Sequence, residues 1–168
     1  MTIETSVVGV AEILPLRWSV LRPGLPPDSA EFAEDARPDT LHLAAYDADA
    51  AGERVLACVT LFPDPFPRPL PERLREPFPD GPPGEPGSAW RFRGMASAPE
   101  VRGLGYGAAV LDAASEAAGE RGAALLWCNG RTVARGFYER RGFTVVGEEF
   151  VIEGVGPHLV FARKVPHS

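Results

Sequence analysis

Three glycines at alternate positions, Gly103, Gly105 and Gly107, stand between the strand-like run AWRFRGMAS (89–97) and a run of helical spacing from Gly107 to Arg121. Glycine inside regular structure costs roughly 0.5–1 kcal/mol relative to alanine. Three at one junction therefore mark a backbone that turns sharply or lets another group come close. A strand that passes through a tight loop into a helix is a building unit of α/β folds. In the helical run Val110, Leu111, Ala114, Ala117 and Ala118 form an apolar stripe, while Asp112, Glu116 and Glu120 recur on the opposite, solvated face.

The same reading extends along the chain. ILPLRWSVLR (13–22) has helical spacing and stops at Pro23 and Gly24. PPDSAEFAEDARPD reads as a turn and a short polar helix, with Asp28 or Ser29 as N-cap. TLHLAAYD (40–47) and RVLACVTLF (54–62) read as a hairpin of two strands. AALLWCN (123–129) is a short apolar strand of the parallel, buried type, and RTVARGFYERRG (131–142) a helix with Thr132 near its start and Gly142 past its end. FTVVGEEFVIEG and PHLVFARKV complete the chain as two antiparallel strands. The 168 residues suggest one domain, 1–168, large enough to bury roughly 70% of its unfolded surface.

Ten of the eighteen prolines fall within residues 63–88. At that density neither a sheet interior nor a helix interior continues, and the backbone is extended or polyproline-like. This Pro-rich loop is either a solvated insertion or a segment, FPRPLPERLREPF, that folds over a substrate site.

Net charge is −6, which opposes nonspecific nucleic-acid binding. No apolar run approaches the ~18 residues of a membrane span. The stretch MTIETSVVGVAEIL carries two glutamates and no basic region, so no secretory signal is read and a cytoplasmic location is expected. Cys58 and Cys128 each sit in an apolar run, which suits reduced, buried thiols, with no metal site expected.

A loop that leaves a strand and opens a helix presents unpaired N–H groups at the positive end of the helix dipole, a site suited to a phosphate. No acid lies between Val101 and Leu111, and Arg102 adds a positive charge at the loop mouth. A Walker loop is excluded because no Gly-Lys-Ser/Thr follows. Gly103, Gly105 and Ala108 match a dinucleotide fingerprint, but the next strand ends in Trp127, Cys128 and Asn129 without the acid that would hold a ribose.

MASAPEVRGLGYGAAVL resembles the acetyl-CoA loop of the GNAT superfamily of N-acetyltransferases, a strand followed by Pro-Glu and Arg-x-x-Gly-x-Gly/Ala. Downstream, Ala134, Phe137, Tyr138, Glu139, Gly142 and Phe143 fall on that superfamily's Ala-x-x-Phe/Leu-Tyr-Glu-x-x-Gly-Phe signature. The two motifs cover residues 89–145. The resemblance implies a mixed, mostly antiparallel central sheet with helices on both faces and a V-shaped split between the strands at about 90–97 and 124–129.

It further implies that acetyl-CoA is the cosubstrate. Its pantetheine arm would lie against Met95, Ala96 and Ser97, and its pyrophosphate on the amides of Arg102, Gly103, Leu104, Gly105, Tyr106, Gly107 and Ala108, with Phe137 alongside. Tyr138 would protonate the departing thiolate. The superfamily often has asparagine where this chain has Arg131; either Asn129 substitutes for it, or Arg131 meets a CoA phosphate or an acidic acceptor. An amine must lose a proton before it attacks, and the candidate bases are Glu148, Glu149, Glu153 and His158, with His158 and Glu149 preferred. Ordered water is the alternative. The acceptor implied is a small-molecule amine (polyamine, amino acid or aminoglycoside-like) before a protein, and a homodimer is compatible with the pattern. A CoA-binding module without turnover, and a transferase of another acyl-CoA, stay open as alternatives.

Overall fold

The computed structural model describes residues 2–75 and 88–165. Its contacts group the chain into two units, residues 1–62 with 92–117, and residues 63–91 with 118–168.

The first unit opens with strand β1, Ile3–Val8, which no sequence pattern announced. Its four central residues are exposed and only its ends are half-buried, so it lacks the apolar alternation by which a strand is read. It forms an antiparallel ladder with β2, Leu41–Asp47, from Ile3↔Asp47 to Val8↔His42. β2 in turn pairs antiparallel with β3, Ala57–Pro63, from Leu41↔Leu61 to Ala45↔Ala57. Helix α1, Val10–Leu21, begins three residues earlier than its apolar spacing suggested. The expected polar helix is instead two 3-10 turns, Pro27–Ala30 and Ala33–Ala36. Neither Asp28 nor Ser29 caps: Pro26 holds the N-cap position and the Ser29 hydroxyl donates back to its carbonyl at 2.6 Å. The capping acceptor in this stretch is Asp35, which takes the Phe32 amide at 2.8 Å.

Strand β4, Ala89–Ser97, passes from one unit into the other. It leads to helix α3, Tyr106–Glu120, whose predicted stripe of Val110, Leu111, Ala114, Ala117 and Ala118 is buried, while Asp112, Glu116 and Glu120 are exposed. A buried ion pair organises the first unit. Arg17, fully buried, donates through Nη1 to Asp35 Oδ2 (2.7 Å) and Ala30 O (2.9 Å), and through Nη2 to Asp35 Oδ1 (3.1 Å) and Thr60 Oγ1 (2.5 Å). His42 Nδ1 lies 2.8 Å from the same threonine hydroxyl, which can donate to it.

In the second unit, Ala89–Arg91 of β4 pair in parallel with Leu125–Trp127 of β5, Leu125–Arg131. The ladder stops at Arg91↔Trp127, although β4 runs on to Ser97 and β5 to Arg131. β5 then pairs antiparallel with β7, Gly156–Lys164, and β7 with β6, Thr144–Ile152, through a bulge between Val146 and Phe150. The hydrogen-bonded order is β1-β2-β3-β4-β5-β7-β6, mixed and mostly antiparallel as expected. The short helix α2, Glu72–Arg75, places Leu74 against Val160 and Ala162 of β7. Helix α4, Arg135–Arg140, places Tyr138 against Phe161. Alternate residues of one strand face opposite ways, so this unit carries helices on both faces of its ladder.

Cys58 and Cys128 are free and buried. Burial raises the Cys58 thiol to about 11 and pushes Cys128 up as well. Both stay protonated at neutral pH, which removes them as nucleophiles. Among the described residues no helix is long and apolar enough to cross a membrane.

Candidate active site

The glycine loop lies in the first unit. After Ser97 a 3-10 turn, Pro99–Val101, leads into Gly103 at φ +81° and Gly105 at φ +93°. Any other L-residue pays about 1–2 kcal/mol in that left-handed region, so both glycines are dictated by the turn. Gly107 is not; it sits inside α3, with Ser97 Oγ 3.3 Å from where a Cβ would stand. Of the seven amides expected to hold a pyrophosphate, two are already used. Arg102 N–H donates to Pro99 O and Leu104 N–H to Val101 O, as the tight turn requires. Among the described residues the amides of Gly103, Gly105, Tyr106, Gly107 and Ala108 have no backbone acceptor. The Tyr106 side chain is buried and fixes the start of the helix. No acid occupies the first turn, Arg102 is exposed, and the nearby Glu100 is paired with Arg54. The group left at this helix head is a set of open donors with a positive field, which fits a diphosphate.

Behind the loop, Met95 and Ser97 are half-buried and Ala96 is buried. The Ala96 amide donates to Cys58 sulfur, and the Cys58 thiol reaches Gly94 O at 3.8 Å. Ala96 is thereby occupied as a backbone donor.

Tyr138 lies in the second unit, and its surroundings explain its position. The six-residue α4 ends in a Schellman turn: Phe143 N–H donates to Tyr138 O at 3.0 Å and Gly142 N–H to Glu139 O at 3.1 Å, with Gly142 at φ +86°. The ring is boxed by Phe161 (4.6 Å between centroids), Phe137 (5.3 Å) and Phe143 (5.8 Å). Gly130 on β5 is the open wall; a Cβ there would stand 2.7 Å from Tyr138 Cε2. The phenol, 7% exposed, donates its hydrogen bond to the Cys128 thiol. Burial, then the thiol, raises its pKa well above the ordinary tyrosine value. The hydroxyl therefore keeps its proton throughout the neutral range.

His158 is buried on β7, with Nδ1 2.8 Å from Gly156 O. A carbonyl only accepts, so the neutral ring carries its proton on Nδ1 and its lone pair on Nε2. Phe150 packs on the imidazole at 5.9 Å. Glu149 is exposed and takes the Thr132 hydroxyl at 2.8 Å; that hydroxyl is therefore not a helix cap, and the chain from Thr132 to Ala134 is a 3-10 turn. Glu148 and Glu153 are exposed. Asn129 pairs in register with Val160, and Arg131, exposed at the end of β5, with His158. His158 and Tyr138 fall on opposite faces of the β5–β7 ladder, since Val160 and Phe161 do.

A family model for the acetyltransferase (GNAT) family matches residues 7–143. The chain belongs to the GNAT family of acetyltransferases. It is 29% identical over 167 residues, 99% of each chain, to the uncharacterized N-acetyltransferase YitI of Bacillus subtilis (strain 168). The fold is shared with an acyl-CoA N-acyltransferase from Pseudomonas aeruginosa (TM-score 0.67, 19% identity, 96% of this chain and 99% of that one). It is shared too with an aminoglycoside 6'-N-acetyltransferase solved with coenzyme A (TM-score 0.69, 14% identity, 100% and 99%).

Membership in the GNAT family makes the chain an acyltransferase, and the family uses acyl-CoA. Sequence reasoning missed how the proline-rich segment begins. Trp127 Nε1–H donates to Asp64 O at 3.0 Å, Phe66 meets the Trp127 ring edge-on at 5.9 Å, and Leu74 is buried beside Leu125. Phe66, Leu70 and Leu74 thus anchor residues 63–74 to the core, while Pro65, Pro67, Pro69, Glu72 and Arg73 stay exposed; residues 76–87 of that loop lie outside the described part. The available signal was the alternation of Phe66 and Leu70 with prolines, apolar anchors on an extended chain.

Proposed function

We propose that this GNAT protein, as a single domain of residues 1–168, moves an acetyl group from acetyl-CoA to the primary amine of a small molecule by direct attack. The observation that carries this reading is the set of open amides at Gly103 and Gly105–Ala108, without an acid in the first turn of α3. They would hold the pyrophosphate, with Arg102 or Arg131 near its charges. Met95 and Ser97 would face the pantetheine arm, and Asn129 and Phe137 would line the cosubstrate. The amine's lone pair forms the C–N bond, the C–S bond breaks, and Tyr138 O–H supplies the proton the thiolate needs. The amine's own proton leaves to Nε2 of His158, or to Glu149 through water. The reduced, protonated thiols suit a cytoplasmic setting.

The test is thiol release from acetyl-CoA across an amine panel. Tyr138→Phe is expected to lower kcat by about 100-fold with little change in KM, in the range of general-acid contributions. Unchanged thiol release would remove Tyr138 from the chemistry. A second reading, a CoA-binding module without turnover, draws on the phenol being buried and committed to Cys128. It predicts a rise in melting temperature with acetyl-CoA and no thiol release with any amine.

A further inference from the structure

Arg68 has no part in the chemistry above, and its surroundings ask for a ligand. It extends from the packed segment onto the bulge of β6, where Gly147 has φ +82° and no side chain. A Cβ at Gly147 would stand 2.9 Å from Arg68 Cδ and 3.0 Å from its Nε and Nη1. The guanidinium carbon lies 5.8 Å from the Phe150 ring centroid, and Phe150 is the ring that packs on His158. Arg68 Nε is sealed from water without an acceptor, as are the Nε atoms of Arg17, Arg91 and Arg163; what sets Arg68 apart from Arg17 and Arg91 is the acid its fork lacks. Among the described residues no carboxylate lies within salt-bridge distance of Arg68, whereas Arg17, Arg37, Arg54, Arg91, Arg93 and Arg135 each meet one. Among the described residues Arg68 is thus a half-buried guanidinium with no acid beside it, in a chain with 23 acids against 17 bases. Partial desolvation costs free energy that an incoming anion would recover.

The register gives this charge its companions. Phe150 pairs with His158 and Asn129 with Val160, and Phe150 packs on the cluster that contains Val160 and Trp127. Arg68, Phe150, Asn129 and His158 thus belong to one face of the β5–β7–β6 ladder, the face opposite Tyr138. Resting on the acetyltransferase reading with His158 beside the amine, we infer that Arg68 anchors a carboxylate of the acceptor. The acceptor class is then a free amino acid, an amine and a carboxylate on one small molecule, rather than a polyamine or other plain polycation. A guanidinium fork matches a carboxylate with two parallel hydrogen bonds. A lone guanidinium balances one negative charge, which favours a carboxylate over a phosphate monoester carrying nearly two.

The experiment compares L-amino acids with their own primary amides as acceptors for the full-length protein, following thiol release from acetyl-CoA. Each pair keeps side chain and α-amine and differs in the carboxylate. Wild type is expected to favour the acids by about 10- to 100-fold in kcat/KM, the worth of a hydrogen bond to a charged group. In Arg68→Gln that ratio falls toward one through KM for the acids, and Arg68→Lys restores part of it. Equal use of acids and amides by wild type, or a ratio that survives Arg68→Gln, overturns the inference. So does a large drop in the melting temperature of ligand-free Arg68→Gln, which would make Arg68 a structural group. If no amine is consumed, the acetyltransferase reading fails, and the inference is decided by calorimetric binding of the same amino acids and amides. Heat from the acids with wild type and none with Arg68→Gln keeps the carboxylate site; no heat with wild type removes it.

Discussion

Arg17 and Arg68 are built from the same parts and end differently. Each lays its guanidinium on a phenylalanine, Phe32 at 3.9 Å and Phe150 at 5.8 Å. Each crosses a glycine of positive φ in a strand, Gly94 at +68° and Gly147 at +82°. Arg17 is fully buried and meets Asp35, Thr60 and Ala30, leaving only Nε unpaired. Arg68 is half-buried and meets no acid among the described residues. A charge that closes its own hydrogen bonds is part of the architecture. Arg68, which meets no acid among the described residues, is the charge assigned above to an arriving carboxylate.

The largest effect that separates the two is thermodynamic. Arg17→Met leaves the Asp35 carboxylate inside without its partner, and urea unfolding is expected to show a loss of about 3–5 kcal/mol. Arg68→Met is expected to cost about 0.5 kcal/mol or less, as for a surface substitution. Equal losses would erase the distinction. A second comparison replaces the two glycines. Gly94→Ala and Gly147→Ala each incur the left-handed penalty of about 1–2 kcal/mol. At Gly94 the new Cβ would also meet Phe32 Cε2 at 2.7 Å, a ring held between Arg17 and Arg93, adding about 1–3 kcal/mol of overpacking. At Gly147 it meets only a flexible arginine chain, so thermal melts should rank Gly94→Ala as the worse.

The smallest effect is in pH. Burial holds His42 below its usual 6.5; the Asp35 carboxylate pulls the other way, and the Arg17 charge adds to the lowering. Burial alone would raise Asp35, but the Arg17 hydrogen bond, the Phe32 amide and the Arg17 and His42 charges outweigh it and keep it below 3.8. A group whose folded pKa is depressed contributes stability above its unfolded pKa and loses it as pH falls through the folded one. Urea midpoints should therefore decline below about pH 6.5 as the unfolded chain binds the His42 proton first, with Asp35 adding its loss at more acid pH. His42→Gln should flatten the upper part of that decline, and an unchanged slope would show that the histidine is not held neutral. No such slope is expected from Arg68.

Local periodicity was enough for α3, β2 and β5, because each buries a continuous apolar face and announces it within a few residues. It failed for β1, whose pairing with β2 supplies backbone hydrogen bonds but little apolar burial. It misjudged the stretch after Arg131, where a 3-10 turn precedes a helix of six residues. In the candidate site, the glycine loop was legible because its turn demands glycine at fixed positions, whereas Tyr138 was singled out only by its place in a signature resembling the family's. Arg68 was not. Nothing near it in sequence signals that Gly147, seventy-nine positions later, opens the bulge it crosses.

The chain alone determined which segments could turn, coil or extend, and where the helix head would present bare amides, since those follow from backbone sterics and neighbouring side chains. Only the folded molecule decided which charges are matched. Ion pairing depends on groups that meet across long separations, as Arg17 meets Thr60 forty-three residues away, and no local rule carries that information.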